Sequence, residues 1–586
     1  MLFRHPWRLT VGVLVGLLLL LAAYAGWLVV KVEHSLVATS SDAESLKSAM
    51  TRGDIAAVKS SLRRLAADSH AAARRTDSPV WSLMTHLPVY GDDVRGVKVA
   101  SNVVSDLSTR GLPQLADSVH DLNSLAPKGG RIDLAAVERL QQPVATGARQ
   151  LAAAQRTLAA EDPANYVAAL KDKFRALQSQ IDQAASALGT ADTALQVMPA
   201  MLGANGPQRY LLILQNNAEI RATGGLPGAV SLVEADHGAL AMTKQVAGSS
   251  FGERQQGPVL PLTADEKALF HEQLGTYFLD ANLTPDFPRA ADLWRARWEE
   301  VQGDHLDGVL SVDPVTLSYL LKATGPIPVP GRNVTLTSAN VVDQLLHQTY
   351  LDYPAPSAQD AFFRDVATAV FQKVAGGAGS PEGILKALVK GASEHRVQVH
   401  DFHDAVQSRL AGSAVAGEFT TRSSKDPVVN VALDDATGAK MSYYLRYQTS
   451  VSSDYCTGGV QGLTGTIHMA SDAPADAASL PDYITGGGAY NVPKGGQVVM
   501  TTIAGPVGGT VGNVLINGKP SQDVTIGKLD GRPTAQIFFF LSPGKTWDVS
   551  WQMKTGTGQT GATQVDVTPS IVPGDSSSTV ASSCGG

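Results

Sequence analysis

Cysteine and charged residues are scarce in this sequence of 586 residues. Its two cysteines exclude a disulfide-dense scaffold and provide no CxxC pair for zinc or for a redox dithiol. Charged residues make up 17% of the chain, against about 25% in average proteins, so ample apolar surface is left for folded cores. Because there are 47 lysines and arginines against 54 acidic residues, and no basic run, no nucleic-acid partner is expected.

Several motifs of catalysis and nucleotide binding are also missing from the sequence. There is no Gly-x-Ser-x-Gly elbow, no Walker loop, and no Gly-x-Gly-x-x-Gly after a predicted strand. These absences weigh against hydrolases and against nucleotide or dinucleotide binding. At roughly 150 residues per domain, the length predicts about three or four domains.

One long apolar run lies near the N-terminus. Residues Leu9–Val30 contain no charge, and about 20 such residues in a helix span the hydrocarbon core of a bilayer. The run therefore predicts a transmembrane helix at 9–30 that anchors the protein in the cell membrane. Arg4 and Arg8 precede it, so the positive-inside rule predicts a cytoplasmic N-terminus at 1–8 and an extracytoplasmic remainder. A cleaved signal peptide is the alternative, because Ala23-Tyr24-Ala25 resembles a cleavage site.

The segment from 31 to 202 has the composition of a helical region. It is rich in alanine, with leucine, valine and isoleucine at helical spacing. Breaks such as Ser78-Pro79 and Asp162-Pro163 divide it into several helices. This pattern predicts a membrane-proximal helical stalk or bundle.

Strand and helix patterns alternate from 203 to 419. The runs Arg209–Gln215 and Leu306–Val312 are typical of buried strands, whereas Pro288–Val301 and Pro314–Lys322 have helical patterns. Such an alternation predicts a central α/β domain.

After Thr420 the helical signals fade, and β-branched and aromatic runs recur between glycine, proline and aspartate. These runs predict a β-sandwich at 420–568, followed by a flexible tail at 569–586. The predicted fold class is therefore α+β and multidomain, with an N-terminal transmembrane helix, a helical stalk or bundle, a central α/β domain and a C-terminal β-sandwich. Cys456 and Cys584 could form a disulfide outside the cell, and two separate thiols are the alternative.

The most unusual local sequence is Gln215–Gly228, directly after the first predicted strand of the α/β domain. Polar loops at the carboxyl ends of strands form the ligand sites of open α/β sheets. Arg221 offers a planar fork for phosphate or carboxylate, and Glu219 could bind a cation or act as a base. Alternatively, these polar side chains tie an irregular loop to its neighbours. The candidate ligand-binding residues, which offer amide groups, a hydroxyl and exposed backbone N–H groups, are Asn216, Asn217, Thr223, Gly224 and Gly225.

A family resemblance extends over the same part of the chain. It is carried by YLLILQNNAEIRATGGLPGAVSLVEAD at 210–236, and by the segments Asn282–Pro288, Leu306–Pro314 and Asp435–Leu445. In these segments the chain resembles the bacterial domain-of-unknown-function family numbered 4012, which is prominent in actinobacteria. The resemblance implies a single-pass, envelope-facing protein, and it implies no particular activity.

The chain is similar, more distantly, to the LytR-CpsA-Psr phosphotransferases, which join polyprenyl-diphosphate-linked glycopolymers to the cell wall. That resemblance implies phosphate binding by Arg221 and a divalent cation held by Glu219 or Asp286, so these three residues are the candidate catalytic residues. It also implies that the partner is a cell-wall glycan or a polyprenyl-diphosphate-linked glycan. The sequence has Asn216 or Asn217 where that family has an acidic residue.

The leading functional prediction is a membrane-anchored extracytoplasmic protein that acts in the assembly or attachment of cell-envelope glycopolymers. The alternative is a non-enzymatic envelope scaffold, or a module that binds glycan or protein. Convergence of Glu219, Arg221 and Asp286 on one cavity would favour the enzyme.

Overall fold

A computed structural model gives the fold of this mixed α/β protein, with about 47% helix, 23% strand and several sheets. It describes residues 6–51, 54–252, 255–521, 523–574 and 577–584. The chain forms two compact units. The first comprises Met1–Leu125 and Ala135–Gln196, and the second comprises Ala126–Leu134 and Val197–Gly586.

Helices build the first unit, and their apolar stripes supply its cores. In one of these cores Val103 and Leu107 pack with Leu158, Phe174 and Ile181. The helices are α1 (Pro6–Thr51), α2 (Ile55–Thr76), α3 (Pro79–Met84), α4 (Gly91–Asp106), α5 (Leu112–Leu122), α6 (Leu134–Ala159) and α7 (Ala168–Met201), of which α6 and α7 extend at one end into the second unit.

The predicted transmembrane helix is the part of the fold class that the structure corrects. In the part of the chain that is described, no helix is long and apolar enough to cross a membrane. The side chains of residues 9–23, most of the predicted span, lie outside that part, as do residues 1–5 of the predicted cytoplasmic N-terminus. Farther along α1, Leu28 and Val32 are buried with Trp81 of α3, because this stretch packs on a neighbouring helix. The fold class is wrong in this respect.

A five-stranded sheet organises the first part of the second unit. The strands of this part are β1 (Gln208–Asn216), β2 (Leu226–Asp236), β3 (Ala239–Ala247), β4 (Gly308–Val312), β5 (Ile327–Pro328), β6 (Thr335–Leu336) and β7 (Gln398–Asp401), of which β5 and β6 pair separately. The sheet has the order β3-β2-β1-β4-β7, in which the pair β1–β4 is parallel and the other three pairs are antiparallel. For β2 and β3 the reason is local, because β2 turns directly into β3 at His237-Gly238, where both residues have positive φ, as tight hairpins require.

Helices lie between these strands. Pro288 occupies the first turn of α10, where a missing N–H costs nothing, and Gly303 ends that helix with a left-handed backbone. The helices are α8 (Ala264–Phe270), α9 (Gln273–Thr276), α10 (Phe287–Gln302), α11 (Pro314–Thr324), α12 (Val341–Asp343), α13 (Thr349–Asp352), α14 (Pro356–Ala375), α15 (Pro381–Ser393) and α16 (Asp404–Leu410).

The two faces of this sheet have different surroundings. Leu211 and Ile213 of β1 belong to the main core, together with Trp294 and Trp298 of α10. The alternate residues of β1, Leu212 and Leu214, are only partly covered, since side chains alternate between the faces of a strand. Packing is therefore dense on the α10 face and incomplete on the other.

Two sheets packed against one apolar core form the C-terminal part. The core draws on both sheets, for example Val431 and Ile537 from one and Ile467 and Trp551 from the other. The elements are β8 (Val428–Asp435), β9 (Leu445–Thr457), β10 (Val460–Ser471), α17 (Asp482–Thr485), β11 (Gln497–Ala504), β12 (Thr510–Ile516), β13 (Lys519–Pro520), β14 (Val524–Leu529), β15 (Arg532–Leu541), β16 (Thr546–Lys554), β17 (Thr563–Val567) and β18 (Ser578–Val580).

The C-terminal residues are tied to these sheets. Strand β18, inside the segment predicted as a flexible tail, pairs with β17. Farther on, Cys584 forms a disulfide with Cys456 of β9. The last part of the described chain is therefore cross-linked to the sheet that contains β9.

Candidate functional site

The loop between β1 and β2 is held by its own polar side chains. Gln215 donates from Nε2 to Oγ of Ser311 at 2.9 Å and accepts the N–H of Gly225 at 2.6 Å. A Cβ at Gly225 would lie 2.4 Å from the carbonyl carbon of Asn216, so only glycine fits there. The loop thus folds back closely on the end of β1.

Several of the predicted ligand-binding residues stabilise this loop. Nδ2 of Asn282 donates to Oγ1 of Thr223 and to the carbonyl of Gly225, each at 2.9 Å. Nδ2 of Asn217 donates to the carbonyl of Gly224 at 3.3 Å. Asn217, Thr223 and Asn282 are at most 2% exposed. This arrangement matches the alternative interpretation, in which the polar side chains tie the loop to its surroundings.

Arg221 is buried and bonded to protein groups. Nη1 donates to the carbonyl of Asp435 at 2.9 Å, and Nη2 donates to Oδ1 of Asp280 at 3.2 Å. Its Nε has no partner among the described residues. Burial alone would lower the pKa of Arg221, but the charges of Asp280, Asp435 and Asp434 raise it above its usual value. A phosphate could reach this guanidinium only by displacing Asp280 or by opening the loop.

Glu219 forms a second buried ion pair. Nζ of Lys440 donates to Oε1 of Glu219 at 2.7 Å, and the same ammonium lies 4.0 Å from the ring centre of Tyr483 and 4.8 Å from that of Tyr350. Nδ2 of Asn216 donates to the hydroxyl of Tyr350 at 2.7 Å. Burial keeps the pKa of Tyr350 well above its usual value, so this hydroxyl stays protonated.

Asp286 lies apart from these groups, at the start of α10. Its Oδ1 accepts the N–H of Phe419 at 2.9 Å. Burial raises the pKa of Asp286 to about 7, against the opposing effect of that hydrogen bond. Within the described residues, no group of three or more histidine, cysteine, aspartate or glutamate side chains is placed to hold a metal ion. Glu219 and Asp286 therefore do not fit the divalent-cation site that the phosphotransferase resemblance implies.

A large cavity of about 640 Å³ lies on the incompletely packed face of the sheet. Leu212 and Leu310, which are partners in the β1–β4 register, line it from the sheet. Further apolar lining comes from Leu214, Leu226, Leu279, Val312, Leu317, Leu320, Leu345, Leu346, Phe363, Val366, Val370, Phe371, Val374, Leu388, Val397 and Val399. Most of its wall is hydrocarbon, supplied by the sheet and by α11, α14 and α15.

Polar groups converge on one part of this cavity. Asn216, Glu219, Tyr350, Lys440 and Tyr483, described above, all line it. Arg221, Asp286 and the loop residues Asn217, Thr223, Gly224 and Gly225 do not. The structure thus brings Asn216 and Glu219 to the cavity and leaves the other predicted site residues elsewhere.

Sequence reasoning missed Tyr350, Lys440 and the cavity itself. A signal was present in α14, where Val366, Val370 and Val374 repeat at intervals of four. That spacing indicates a buried helix face but does not show whether the facing surface fills the space. Lys440 lies 221 residues from Glu219, so no local motif joins them.

This is a mixed α/β protein with a large, mainly apolar cavity and a small polar cluster on the wall of that cavity. Residues 205–350 match the family model described as Protein of unknown function (DUF4012). This match supports the resemblance to that family over this part of the chain. No curated protein and no solved structure matches the chain.

Proposed function

We propose that this protein is a lipid-binding module that encloses a hydrocarbon chain in the cavity beneath α14. The observation that carries the proposal is the cavity itself, about 640 Å³ with a mainly apolar wall. Protein interiors are close-packed, with few voids larger than a water molecule. Ligand pockets of about 300–1,000 Å³ are mostly apolar and carry a few convergent polar groups. The cavity has a volume in this range, a mainly apolar wall and a cluster of polar groups.

Its chemistry favours a chain-like apolar ligand over a glycan. A sugar would require many hydrogen bonds, because each buried hydroxyl without a partner is costly. The sheet and α14 offer Leu212, Leu310, Val370 and Phe371 instead. Each methylene transferred from water to such a surface contributes about 0.8 kcal/mol.

Binding is better supported than group transfer. Arg221 is bonded to Asp280 and to the carbonyl of Asp435, Glu219 is paired with Lys440, and Asp286 does not line the cavity. The three candidate catalytic residues therefore do not share a space in which a substrate could react. This arrangement favours the non-enzymatic binding module over the phosphotransferase.

We further propose that the protein works in the cell envelope, on the extracytoplasmic side. The disulfide between Cys456 and Cys584 supports this location, because disulfides persist in oxidising compartments and are rare in the cytosol.

A chain-length series tests the proposed function. Binding of octanol, dodecanol and hexadecanol to the full chain is measured by displacement of a fluorescent apolar probe. Affinity should rise roughly fourfold for each added methylene until the cavity is full. The variant Ala367→Trp, which places an indole on the cavity wall, should abolish this dependence. Gln372→Trp, an exposed position of the same helix outside the lining, is the matched control. Equal binding by both variants would refute the proposal.

A further inference from the structure

We infer that the cavity selects an uncharged lipid, whose polar end carries a hydroxyl or carbonyl oxygen, over a lipid with an anionic head group such as a diphosphate. This inference rests on the proposed lipid binding and adds the chemical class of the ligand. It is drawn from the charges that line the cavity and from their partners.

The lining is poor in positive charge. Lys440 is the only lysine, arginine or histidine among the described residues that line the cavity. Four carboxyl groups face it there, from Glu219, Asp313, Asp360 and Asp482. A diphosphate would therefore enter a space where carboxylates outnumber cations, and a desolvated like-charge contact is strongly unfavourable.

The single cation is already neutralised. Lys440 donates to Glu219 at 2.7 Å and lies between the rings of Tyr350 and Tyr483. A ligand phosphate would compete with a carboxylate that is buried beside the ammonium. Breaking a buried ion pair is costly, because it leaves a charge without compensation.

The other carboxyl groups cannot make the lining positive. Asp313 accepts from Arg396 at 2.8 Å, and Asp482 accepts from Lys494 at 2.5 Å. Burial raises the pKa of Asp360, so this group is neutral or negative. The charge around the polar cluster is therefore close to zero or negative.

Tyr350 is a buried neutral donor in the polar part of the cavity. The hydroxyl of Tyr350 accepts from Asn216, and its own proton has no acceptor among the hydrogen bonds of the described residues. Because burial keeps this hydroxyl protonated, Tyr350 can donate to an alcohol or carbonyl oxygen of the ligand. We assign Tyr350 as the residue that binds the polar end of the lipid.

The test compares two ligands that share one chain, farnesol and farnesyl diphosphate. Each is titrated against the full chain, with the hydrocarbon farnesene as a reference for the chain alone. Farnesol should bind at least about tenfold more tightly than the diphosphate. Equal or tighter binding of the diphosphate would overturn the inference while leaving lipid binding intact. If none of the three ligands binds, the proposed function itself fails.

Two variants extend the test. Tyr350→Phe should weaken farnesol binding about three- to tenfold and leave farnesene binding unchanged, because one hydrogen bond is lost. Glu219→Gln removes the carboxylate beside Lys440 and should raise farnesyl diphosphate affinity about tenfold or more. Glu382→Gln, an exposed position of α15 outside the lining, is the matched control. Equal effects of Tyr350→Phe on farnesol and farnesene would contradict the role of Tyr350, and this arm stands even if Glu219→Gln does not fold.

Discussion

Replacing Ala367 of α14 with leucine should stabilise the protein, whereas the same replacement at Ala369 should destabilise it. Ala367 lines the cavity, and Ala369 is 7% exposed within the packed core that contains Phe362 and Val366. Ala367→Leu adds three carbon atoms next to empty apolar space. At about 0.8 kcal/mol for each carbon atom, burial raises the free energy of unfolding by about 2.4 kcal/mol. The rotamer entropy that the leucine side chain loses reduces this gain by about 0.5–1 kcal/mol.

The same substitution at Ala369 has no space to fill. Extra carbon atoms in a packed core force strained side chains and cost about 1–3 kcal/mol. The free energies of unfolding of the two variants, measured in the absence of lipid by urea denaturation, should therefore differ by about 3 kcal/mol or more, with Ala367→Leu the more stable. If Ala367→Leu destabilises the protein as much as Ala369→Leu does, protein atoms fill the space and the cavity does not exist.

Three further predictions concern buried charge and the disulfide. Since burial raises the folded-state pKa of Asp286 to about 7, from an unfolded value near 4, the native state holds the proton longer, and stability falls as pH rises from about 4 to about 7. Asp286→Asn should remove this fall, roughly 4 kcal/mol at about 1.36 kcal/mol for each pKa unit, from the pH dependence of urea unfolding, and an unchanged profile would contradict the assignment. Arg396→Ala should cost about 3–5 kcal/mol, because Arg396 is fully buried and its loss leaves Asp313 without its cation. Arg332→Ala, at a partly exposed side chain paired with Asp365, should cost about 1 kcal/mol or less in the same assay. Replacing Cys456 and Cys584 with serine opens a loop of 128 residues and should lower the free energy of unfolding by about 3–5 kcal/mol; a double variant as stable as the parent would show that the cross-link adds no stability.

Local patterns predicted the secondary structure well where the signal lies within a short segment. The helix expected at Pro288–Val301 is found at Phe287–Gln302, since Pro288 and Gly303 mark its ends. The strand expected at Arg209–Gln215 is found at Gln208–Asn216. In such cases hydrophobic periodicity and terminal residues suffice.

The arrangement of the sheet and the partners of the site residues could not be read from such patterns. Strand β4 pairs with β1 across about a hundred residues, and β2 pairs with β1 in the antiparallel direction, which the alternation of strands and helices did not indicate. The sequence predicts phosphate binding by Arg221. Its actual partners, Asp280 and Asp435, lie 59 and 214 residues away. A charge in a loop can therefore be recognised from sequence, but its neutralisation by distant residues cannot.

The apolar N-terminal run shows a related limit. Length and hydropathy predicted a membrane span at Leu9–Val30, but hydropathy does not distinguish a side chain that faces lipid from one that packs on protein. Where the structure describes this run, Leu28 is buried on Trp81, while Trp27 and Val30 are exposed. Buried and exposed residues alternate in this stretch because one face of the helix packs on protein.

Photolabelling can show whether the cavity holds a lipid chain. A hexadecanol analogue with a diazirine at the end of its chain is bound to the full protein, activated by light, and located by peptide mapping. We expect labels on the segments that line the cavity, at 212–214 of β1 and 366–374 of α14, and we expect these labels to be lost in Ala367→Trp. Labels confined to exposed apolar side chains such as Phe538 and Phe540, and undiminished in that variant, would contradict it.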